Sequence, residues 1–340
     1  MHTLTRRLTL KLLIPAIAAT SWMIAPAVAA DAKTVNLALD WTPNTNHVGL
    51  YVAEAKGYFK DADLTVNILP YTDTGAATLV SNGLADFGIA GVGFYSQRAA
   101  GADIKGVYAV VQSDTGRLVT EADRTDIKSP KDLDGKTYGG FGSAWENALV
   151  GSIIKGDGGK GDFKTVTLGT SAYEALGNKT VDFTLEILTW EGVQAELAGE
   201  KLNTFKYTDY GIPDQYTTLI VSSEKYLKAN PDNAKAFLAA VQKGYAYSVD
   251  HPDEAAKILI AANPDVLTDP KLVDASMKML VDGHFLRSAD GVIGTFEPKK
   301  ASGIGEYLFK SGLLVDENGK VLTEKPDFAS YITNDYLPGK

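Results

Sequence analysis

Short apolar runs alternate with longer stretches of helical spacing along the first third of the chain. Runs of four to eight apolar or alternating positions are typical of strands, and apolar residues three and four apart indicate helices. This pattern predicts strands at 35–39, 64–69, 86–90 and 104–112, and helices at 47–58, 75–82 and 94–100. A strand–helix alternation of this kind favours a mostly parallel sheet covered by helices.

The alternation restarts after residue 129. Strands are predicted at 136–140, 164–168, 181–188, 203–207 and 217–222, with helices at 145–154, 171–178 and 191–198. The rest of the chain has mainly helical spacing, and most of its helices have a proline or an acidic residue near the start. These helices are predicted at 224–229, 231–250, 252–262, 270–286 and 302–309.

Two α/β units joined by two crossovers, near 113–118 and 214–219, form a cleft between lobes. Such clefts are favoured ligand sites, and hinge closure around the ligand is the expected motion. We expect an α/β protein of two lobes, each a mostly parallel sheet flanked by helices. The first lobe takes residues 31–115 and 218–340, and the second takes residues 116–217.

Residues 1–30 have the pattern of a secretory signal peptide. Positive charges at Arg6, Arg7 and Lys11 precede the apolar run 12–24 and the small residues 27–29. The paired arginines leave two export routes open, general secretion and the twin-arginine route, and general secretion is favoured. The apolar run is too short for a permanent membrane span.

Composition and charge narrow the class of protein. The chain has no cysteine, so a disulfide framework, a thiolate metal site and a lipid anchor are excluded. Its formal net charge of −9 becomes −12 when the three positive charges of the signal are removed. An acidic chain argues against a nucleic-acid partner. A free exported protein needs a compartment to retain it, and the periplasm of a two-membrane bacterium fits best.

Residues 40–47 form the most informative segment, because they join the first strand to the first helix. Loops at the carboxyl ends of strands bind ligands in open α/β sheets. Trp41 offers a face for stacking on a flat ring, and Asp40, Asn44 and His47 offer hydrogen bonds. The alternatives are a core role for Trp41, a turn held by the side chains of Asp40 and Asn44, and helix capping by His47.

A second set of candidates lies in the second unit. Glu191 can accept two N–H bonds from a ligand, although an acidic residue at a helix start is also ordinary. Glu186 interrupts an apolar strand and faces either the cleft or solvent. Trp190 is a stacking or a packing residue. Trp145 and Glu146 follow a glycine-rich turn whose N–H groups would suit an oxygen atom, or which is only a turn.

Other polar residues are less informative. Tyr95, Tyr173 and Tyr216 follow turns near the cleft and are candidate rim residues, of which Tyr95 and Tyr216 enter the predicted site. The four histidines are scattered, so no metal constellation is expected. Arg98 and Arg117 are the candidate cations, but neither is placed in the cleft by the pattern. The sequence therefore favours a neutral or cationic ring over an anion.

Five segments carry a resemblance to a known family. Residues 40–47, 49–53, 56–59, 82–89 and 190–192 are similar to the thiamine pyrimidine synthase-like family, and the run 41–47 is its most specific part. The resemblance implies the type II periplasmic-binding-protein fold. Most bacterial members are binding proteins of ABC importers, and several take up hydroxymethylpyrimidine or its formylamino analogue. Others in the wider group bind riboflavin, sulfonates such as taurine, or nitrate.

A fungal branch of this family is enzymatic and makes the pyrimidine from histidine and pyridoxal phosphate with iron. Where that branch has a lysine and, four residues later, a histidine, this chain has Ala90 and Phe94, and it lacks the branch's cysteines. The resemblance thus implies binding without catalysis, metal or cofactor. The implied partners are a small aromatic ligand, a permease and an ATPase, and the expected state is a monomer. A chemosensory role stays open beside transport.

Overall fold

A computed structural model describes residues 33–142 and 144–338 of the 340-residue chain. The predicted signal peptide lies outside the described residues. The strands described, in chain order, are β1 Lys33–Ala38, β2 Leu64–Leu69, β3 Phe87–Ala90, β4 Lys105–Ala109, β5 Gly116–Glu121, β6 Thr137–Gly140, β7 Lys164–Thr167, β8 Phe183–Ile187, β9 Leu202–Lys206 and β10 Leu219–Ser222.

The α-helices alternate with the strands up to β10 and then follow one another. In chain order they are α1 Val48–Ala55, α2 Tyr58–Asp61, α3 Ala76–Ser81, α4 Phe94–Ala99, α5 Ala144–Gly156, α6 Ala172–Gly177, α7 Val193–Ala198, α8 Glu224–Ala229, α9 Pro231–Asp250, α10 Pro252–Ala262, α11 Pro270–Asp282 and α12 Pro298–Lys310. No helix in the described part of the chain is apolar over a length that would cross a bilayer.

The strands form two five-stranded sheets. The first has the order β2-β1-β3-β10-β4 and the second the order β7-β6-β8-β5-β9. In the first sheet β10 runs antiparallel to both neighbours, and in the second sheet β5 does so. The other four strands of each sheet run in one direction. The predicted two-lobe architecture with mostly parallel sheets is confirmed.

The chain passes between the sheets twice, between β4 and β5 and again between β9 and β10. We call residues 110–115 and 211–218 the hinge segments. Thr217 joins them, because its hydroxyl accepts from the N–H of Thr115 at 2.8 Å and donates to the carbonyl of Ser113 at 3.1 Å. The bounds that we assign to the two lobes stay a prediction.

One part of the first-lobe core lies between the sheet and helices α1, α9, α10 and α11. Another part includes Phe94, Tyr95 and Ile304. All four residues of β3 are buried, as a continuous apolar run in a central strand requires. The rings of Phe87 and Phe237 stack with centroids 4.2 Å apart. Helices α1 and α9 cross closely at Gly49 and Gly244. A Cβ on Gly244 would come within 2.0 Å of the Gly49 carbonyl oxygen, so only glycine permits this approach.

The pattern missed one strand and one break in a helix. Strand β5 lies where we expected a crossover, because Arg117 and Thr120 interrupt its short apolar run. Both side chains are buried all the same. The predicted helix 47–58 is divided into a short 3₁₀ turn, α1 and α2, since Gly57 adopts φ +74° and ends α1. Left-handed glycines commonly end helices in this way.

Candidate ligand-binding cleft

A cleft of about 260 Å³ lies between the two lobes. Loop 40–46, which follows β1, forms one wall. The other wall comes from the end of β8 and the π-helical turn Leu188–Gly192, together with two aromatic residues of the second lobe. The cleft is lined by Asp40, Trp41, Asn44, Asn46, Phe141, Tyr173, Leu185, Ile187, Trp190, Glu191, Thr217 and Thr218.

The first-lobe wall is held by short-range hydrogen bonds. The side chain of Asn44 caps the 3₁₀ turn Thr45–His47 and accepts from the N–H of Asn46 at 2.9 Å. His47 accepts from the N–H of Asn44 through Nδ1, so Nε2 carries its proton and donates to Asp40 Oδ1 at 2.9 Å. The hydroxyl of Tyr245 donates to the carbonyl of Asn46 at 2.7 Å. These contacts fix the loop before any ligand arrives.

Trp41 reaches across the cleft. Its ring meets Phe141 of the second lobe edge to face, with centroids 5.6 Å apart and planes at 75°. On its own lobe it meets the ring of Tyr71 at the same centroid distance. The indole is only half-buried, so part of its surface remains available to a ligand. A partly exposed aromatic surface of this kind suits contact with a flat aromatic ligand.

The second-lobe wall brings carboxyl groups into the cleft. The π-helical turn Leu188–Gly192 widens the backbone after β8 and presents Trp190 and Glu191 side by side. Single π-helical turns occur often at functional sites. Glu191 Oε2 accepts from the N–H of Ile187 at 3.1 Å, which fixes the carboxyl. Burial raises the pKa of Glu191 above its ordinary value, although this backbone hydrogen bond opposes the rise.

Glu186 lies in a hollow of about 540 Å³ that adjoins the cleft and shares Trp41, Trp190 and Glu191 with it. The side chain is almost completely buried at 2% exposure. Burial, with a smaller contribution from the charge of Glu191, raises the pKa of Glu186 to about 7. Arg117 stands opposite Glu186 in the β5–β8 register, but its charge does not offset burial. The wall is therefore short of positive charge.

The structure brings five of the predicted site residues to the cleft itself, and three more lie next to it. Asp40, Trp41, Asn44, Trp190 and Glu191 line the cleft. His47 lies behind the loop, Glu186 lines the adjoining hollow, and Trp145 lines a second cavity that shares Leu185, Ile187 and Thr217 with the cleft. Their contact with a ligand stays a prediction.

The remaining three predicted site residues neither line the cleft nor face a cavity that adjoins it. Tyr95 is buried in the first-lobe core and its hydroxyl donates to the carbonyl of Ala301. Tyr216 accepts from the N–H of Glu297 at 2.7 Å on another face of the hinge. Glu146 accepts from the N–H groups of Phe141 and Gly142 and from the hydroxyl of Tyr138. It therefore shapes the loop that carries Phe141.

Sequence reasoning left seven lining residues out of the site. Asn46 belongs to the segment 40–47, and Tyr173 follows a turn and was a candidate rim residue, but neither was included in the predicted site. Phe141 lies in the glycine-rich turn itself. The sequence analysis named Trp145 and Glu146, which follow that turn, but not Phe141. No local signal marks the other four, because apolar strand ends and hinge threonines become lining residues only through the packing of the lobes. These four are Leu185, Ile187, Thr217 and Thr218.

The charges at the cleft are acidic. Among the described lining residues there is no lysine or arginine, while Asp40 and Glu191 both contribute carboxyls. Arg98, one of the two unplaced cations, pairs with Glu224 away from the cleft. The cleft thus offers ring faces and hydrogen-bond acceptors, which suits a flat ligand that donates N–H bonds.

Comparison with known proteins gives relatives of two kinds. A formylaminopyrimidine-binding protein of Halalkalibacterium halodurans is 28% identical over 73% of this chain and 76% of its own length. A 4-amino-5-hydroxymethyl-2-methylpyrimidine phosphate synthase of Legionella pneumophila is 26% identical over 69% of this chain and 75% of its own length. Sequence likeness alone therefore covers both a binding protein and a synthase.

The fold is that of solute-binding proteins. The periplasmic aliphatic sulphonate binding protein of Escherichia coli superimposes with a TM-score of 0.63 at 15% identity, over 88% of this chain and 92% of that one. The sequence profile of the family described as NMT1/THI5 like matches residues 44–255, more than half of the chain. The predicted family and fold class are thus both confirmed. This chain belongs to the NMT1/THI5-like family and has the two-lobe fold of periplasmic binding proteins.

Proposed function

We propose that this chain is the solute-binding protein of an ABC importer and that it captures an aminopyrimidine of the thiamine-precursor type. The observation that carries the proposal is the make-up of the cleft, which combines aromatic rings from both lobes with carboxyl groups and has no lysine or arginine among its described lining residues. The relative that is named as a formylaminopyrimidine-binding protein supports the same ligand class.

The rings account for the flat part of the ligand. Trp41 comes from the first lobe, whereas Phe141, Tyr173 and Trp190 come from the second. A ring bound between them would contact both lobes at once and would hold the cleft closed. Each good aromatic contact adds about 0.5–1.5 kcal/mol beyond the burial of area.

The acceptors account for the amino group and the ring nitrogen. The carboxyl of Glu191 can bind such a ligand in either protonation state, and burial raises its pKa above the ordinary value. As a carboxylate it accepts from the exocyclic amine and from a protonated ring nitrogen, and as an acid it donates to a neutral ring nitrogen instead. Asn46 adds an acceptor, because its buried Oδ1 has no hydrogen-bond partner among the described residues.

The same acidic lining argues against an anionic ligand. A sulfonate or nitrate requires basic side chains or free N–H groups, and would here meet Asp40 and Glu191 at close range. The sulphonate-binding protein of Escherichia coli shares only the fold, at 15% identity, so its ligand is no guide to the ligand of this chain. Riboflavin, which is a larger neutral heterocycle, is the second ligand that the rings would accept.

The residues present do not fit the enzymatic branch. Ala90 has no amine with which to form a Schiff base, and Phe94 has no atom that binds iron. Both side chains are buried and serve packing instead. The full chain has no cysteine to supply thiolate ligands. We therefore propose a non-enzymatic role without cofactor, although one relative is named as a synthase.

Export and partners follow from the proposed role. The residues at 1–30 suit export, and an importer's binding protein works outside the inner membrane. We propose a monomeric periplasmic protein that delivers its ligand to a permease and an ATPase. A chemosensory receptor would use the same cleft and the same closure.

The decisive experiment is a binding screen of the protein after unfolding and refolding to remove carried ligand. Isothermal titration would compare hydroxymethylpyrimidine, its formylaminomethyl and aminomethyl analogues, thiamine, riboflavin, taurine and nitrate. We expect the pyrimidines to bind and the two anions to give no heat. Binding of taurine or nitrate, with no heat from any pyrimidine, would overturn the proposed ligand class and leave only the fold.

A further inference from the structure

The hollow of about 540 Å³ that adjoins the cleft is lined by five glutamates, and its described lining residues include no lysine or arginine. We call it the acidic hollow. Glu174 and Glu200 are exposed at its edge, Glu121 and Glu191 are half-buried, and Glu186 is buried. A row of exposed carboxyls needs no ligand, because water solvates them. The buried member of the set is different.

Glu186 is buried without a partner. The residue is only 2% exposed and forms no hydrogen bond or ion pair with any described residue. Arg117 faces it across the β5–β8 pair but donates to the carbonyl of Gly116 at 2.6 Å. Buried carboxyls are usually paired with protein, water or ligand, since an unpaired one is costly. The hollow therefore has a place for a group that pairs with Glu186.

The charged and titratable groups that face Glu186 do not neutralise it. Burial and then the like charge of Glu191 raise the pKa of Glu186 to about 7, and Arg117 opposes this rise only in part. Tyr173 on α6 and Tyr207 also face it, and burial raises the pKa of both phenols, so they carry no charge. A cation in the hollow would thus meet negative charge that nothing nearby balances.

The geometry of the hollow selects the kind of cation. Calcium and magnesium require about six or more oxygen ligands that converge on one point. In the described part of the chain no three acidic or histidine side chains come close enough together to hold a metal ion. Carboxyls spread around about 540 Å³ suit a larger organic cation instead.

Aromatic rings complete the lining. Trp41, Tyr173 and Trp190 line the acidic hollow as well as the cleft. A ring face attracts a cation, and the attraction is greatest for tryptophan and for cations that are readily desolvated. Alkyl groups on nitrogen weaken its hydration, so an alkylated ammonium loses less on leaving water than a bare ammonium does. Rings beside an unpaired carboxyl are the chemistry that recognises such a group.

We propose that the acidic hollow binds an alkylammonium group. Glu186 is its charge partner, and the three rings pack against its alkyl groups. Because the hollow and the cleft share these rings, two sources would supply the group. One is a substituent of the ring bound in the cleft, which rests on the proposed function, and the other is a separate small molecule, which does not.

The test compares probes that differ only in charge. The first pair is one aminopyrimidine that carries either a trimethylammonium-methyl group or its neutral analogue with carbon in place of nitrogen. The second pair is choline and the alcohol in which carbon replaces its nitrogen. Isothermal titration of the refolded full chain should show at least one charged probe bound about tenfold or more tightly than its neutral partner.

Variants locate the charge preference, which is the ratio of the two affinities within a pair. Glu186 and Glu121 line the hollow but not the cleft. Glu186→Gln should reduce the preference to about threefold or less, and Glu121→Gln should reduce it by about twofold. Glu196→Gln is the matched control, since this exposed glutamate lies on α7 outside the hollow, and it should leave the preference unchanged.

Proton release separates charge pairing from a merely structural role of Glu186. With its pKa at about 7, this carboxyl is partly protonated near neutral pH, and a cation beside it favours the ionised form. Titration at neutral pH in phosphate and in Tris, which differ in heat of ionisation, should give different heats for the charged probe and equal heats for the neutral one. The difference should vanish in Glu186→Gln.

The outcomes separate the two proposals. Equal affinities within both pairs, or a charge preference that survives in both Glu186→Gln and Glu121→Gln, would overturn the acidic hollow as a site. The proposed function would stand as long as the methyl form of the aminopyrimidine binds. Failure of that methyl form would overturn the proposed function, while the choline pair would still decide on the hollow.

Discussion

The two walls of the cleft differ in what holds them. The loop after β1 is fixed by bonds within a few residues, among them Asp40 to His47 and the cap of Asn44. The wall after β8 instead holds Glu186 and Glu191, whose pKa values are raised because burial takes them away from water. The first wall therefore supplies a preformed shape, and the second supplies acceptors that gain most from a ligand that donates N–H bonds.

Glu191→Ala should have the largest effect on affinity, because it removes a carboxyl acceptor from the second wall. Removal of one partner of a buried charged hydrogen bond costs about 2–5 kcal/mol, so pyrimidine affinity should fall by a factor of roughly thirty or more. Isothermal titration measures the loss of affinity, with Glu196→Ala on the following helix α7 as the exposed control. A change of less than threefold would remove Glu191 from the ligand contacts.

Glu186→Gln should stabilise the ligand-free protein at high pH. A carboxyl whose folded pKa lies above its unfolded value gives stability that is fully present below about pH 4.5 and is lost as the pH rises through about 7. The variant should escape that loss and exceed wild type by about 1–3 kcal/mol at pH 8, since one pKa unit corresponds to about 1.4 kcal/mol.

Urea unfolding at pH 5 and pH 8 measures the effect of Glu186→Gln, and the two proteins should come together at the lower pH. Glu200→Gln, an exposed change at the rim of the same hollow, is the control. A difference between wild type and Glu186→Gln that does not depend on pH would show that Glu186 is not the titrating group.

Asn44→Ala tests the first wall. Loss of a helix cap costs about 1 kcal/mol of stability, and the loosened loop should also weaken ligand binding by a few fold. Asp327→Ala removes a comparable cap outside the cleft, where Asp327 accepts from the N–H of Ala329. That control should lower stability alone. If both variants left affinity intact, the loop would not need its cap for binding.

The difference in ligand affinity between Trp41→Phe and Trp41→Leu should be the smallest of these effects. It separates stacking on the first wall from apolar bulk. Phenylalanine keeps a ring face, whereas leucine keeps apolar bulk only. The ring itself should account for about 0.5–1.5 kcal/mol, so the leucine variant should bind the pyrimidine about two- to tenfold more weakly than the phenylalanine variant. Equal affinities of the two variants would mean that Trp41 acts by bulk and not by stacking.

The sequence by itself determined the local parts of this protein. The spacing of apolar residues predicted nine of the ten strands in the described part of the chain, and the prediction for β2 matches residue by residue, because strand periodicity depends on near neighbours. Asp40, Trp41 and Asn44 were likewise placed at the cleft, since a loop that follows a parallel strand lies at the carboxyl edge of the sheet.

Only the tertiary structure decided which distant residues meet. Strand β5 gains its place from pairing with β8 and β9, and a buried Arg117 hides it from any apolar pattern. Tyr95 and Tyr216 follow turns as expected, yet packing directs their hydroxyls to Ala301 and Glu297. The hydroxyl of Thr217 meets the N–H of Thr115 across 102 positions of sequence, and local sequence spacing carries no record of that convergence.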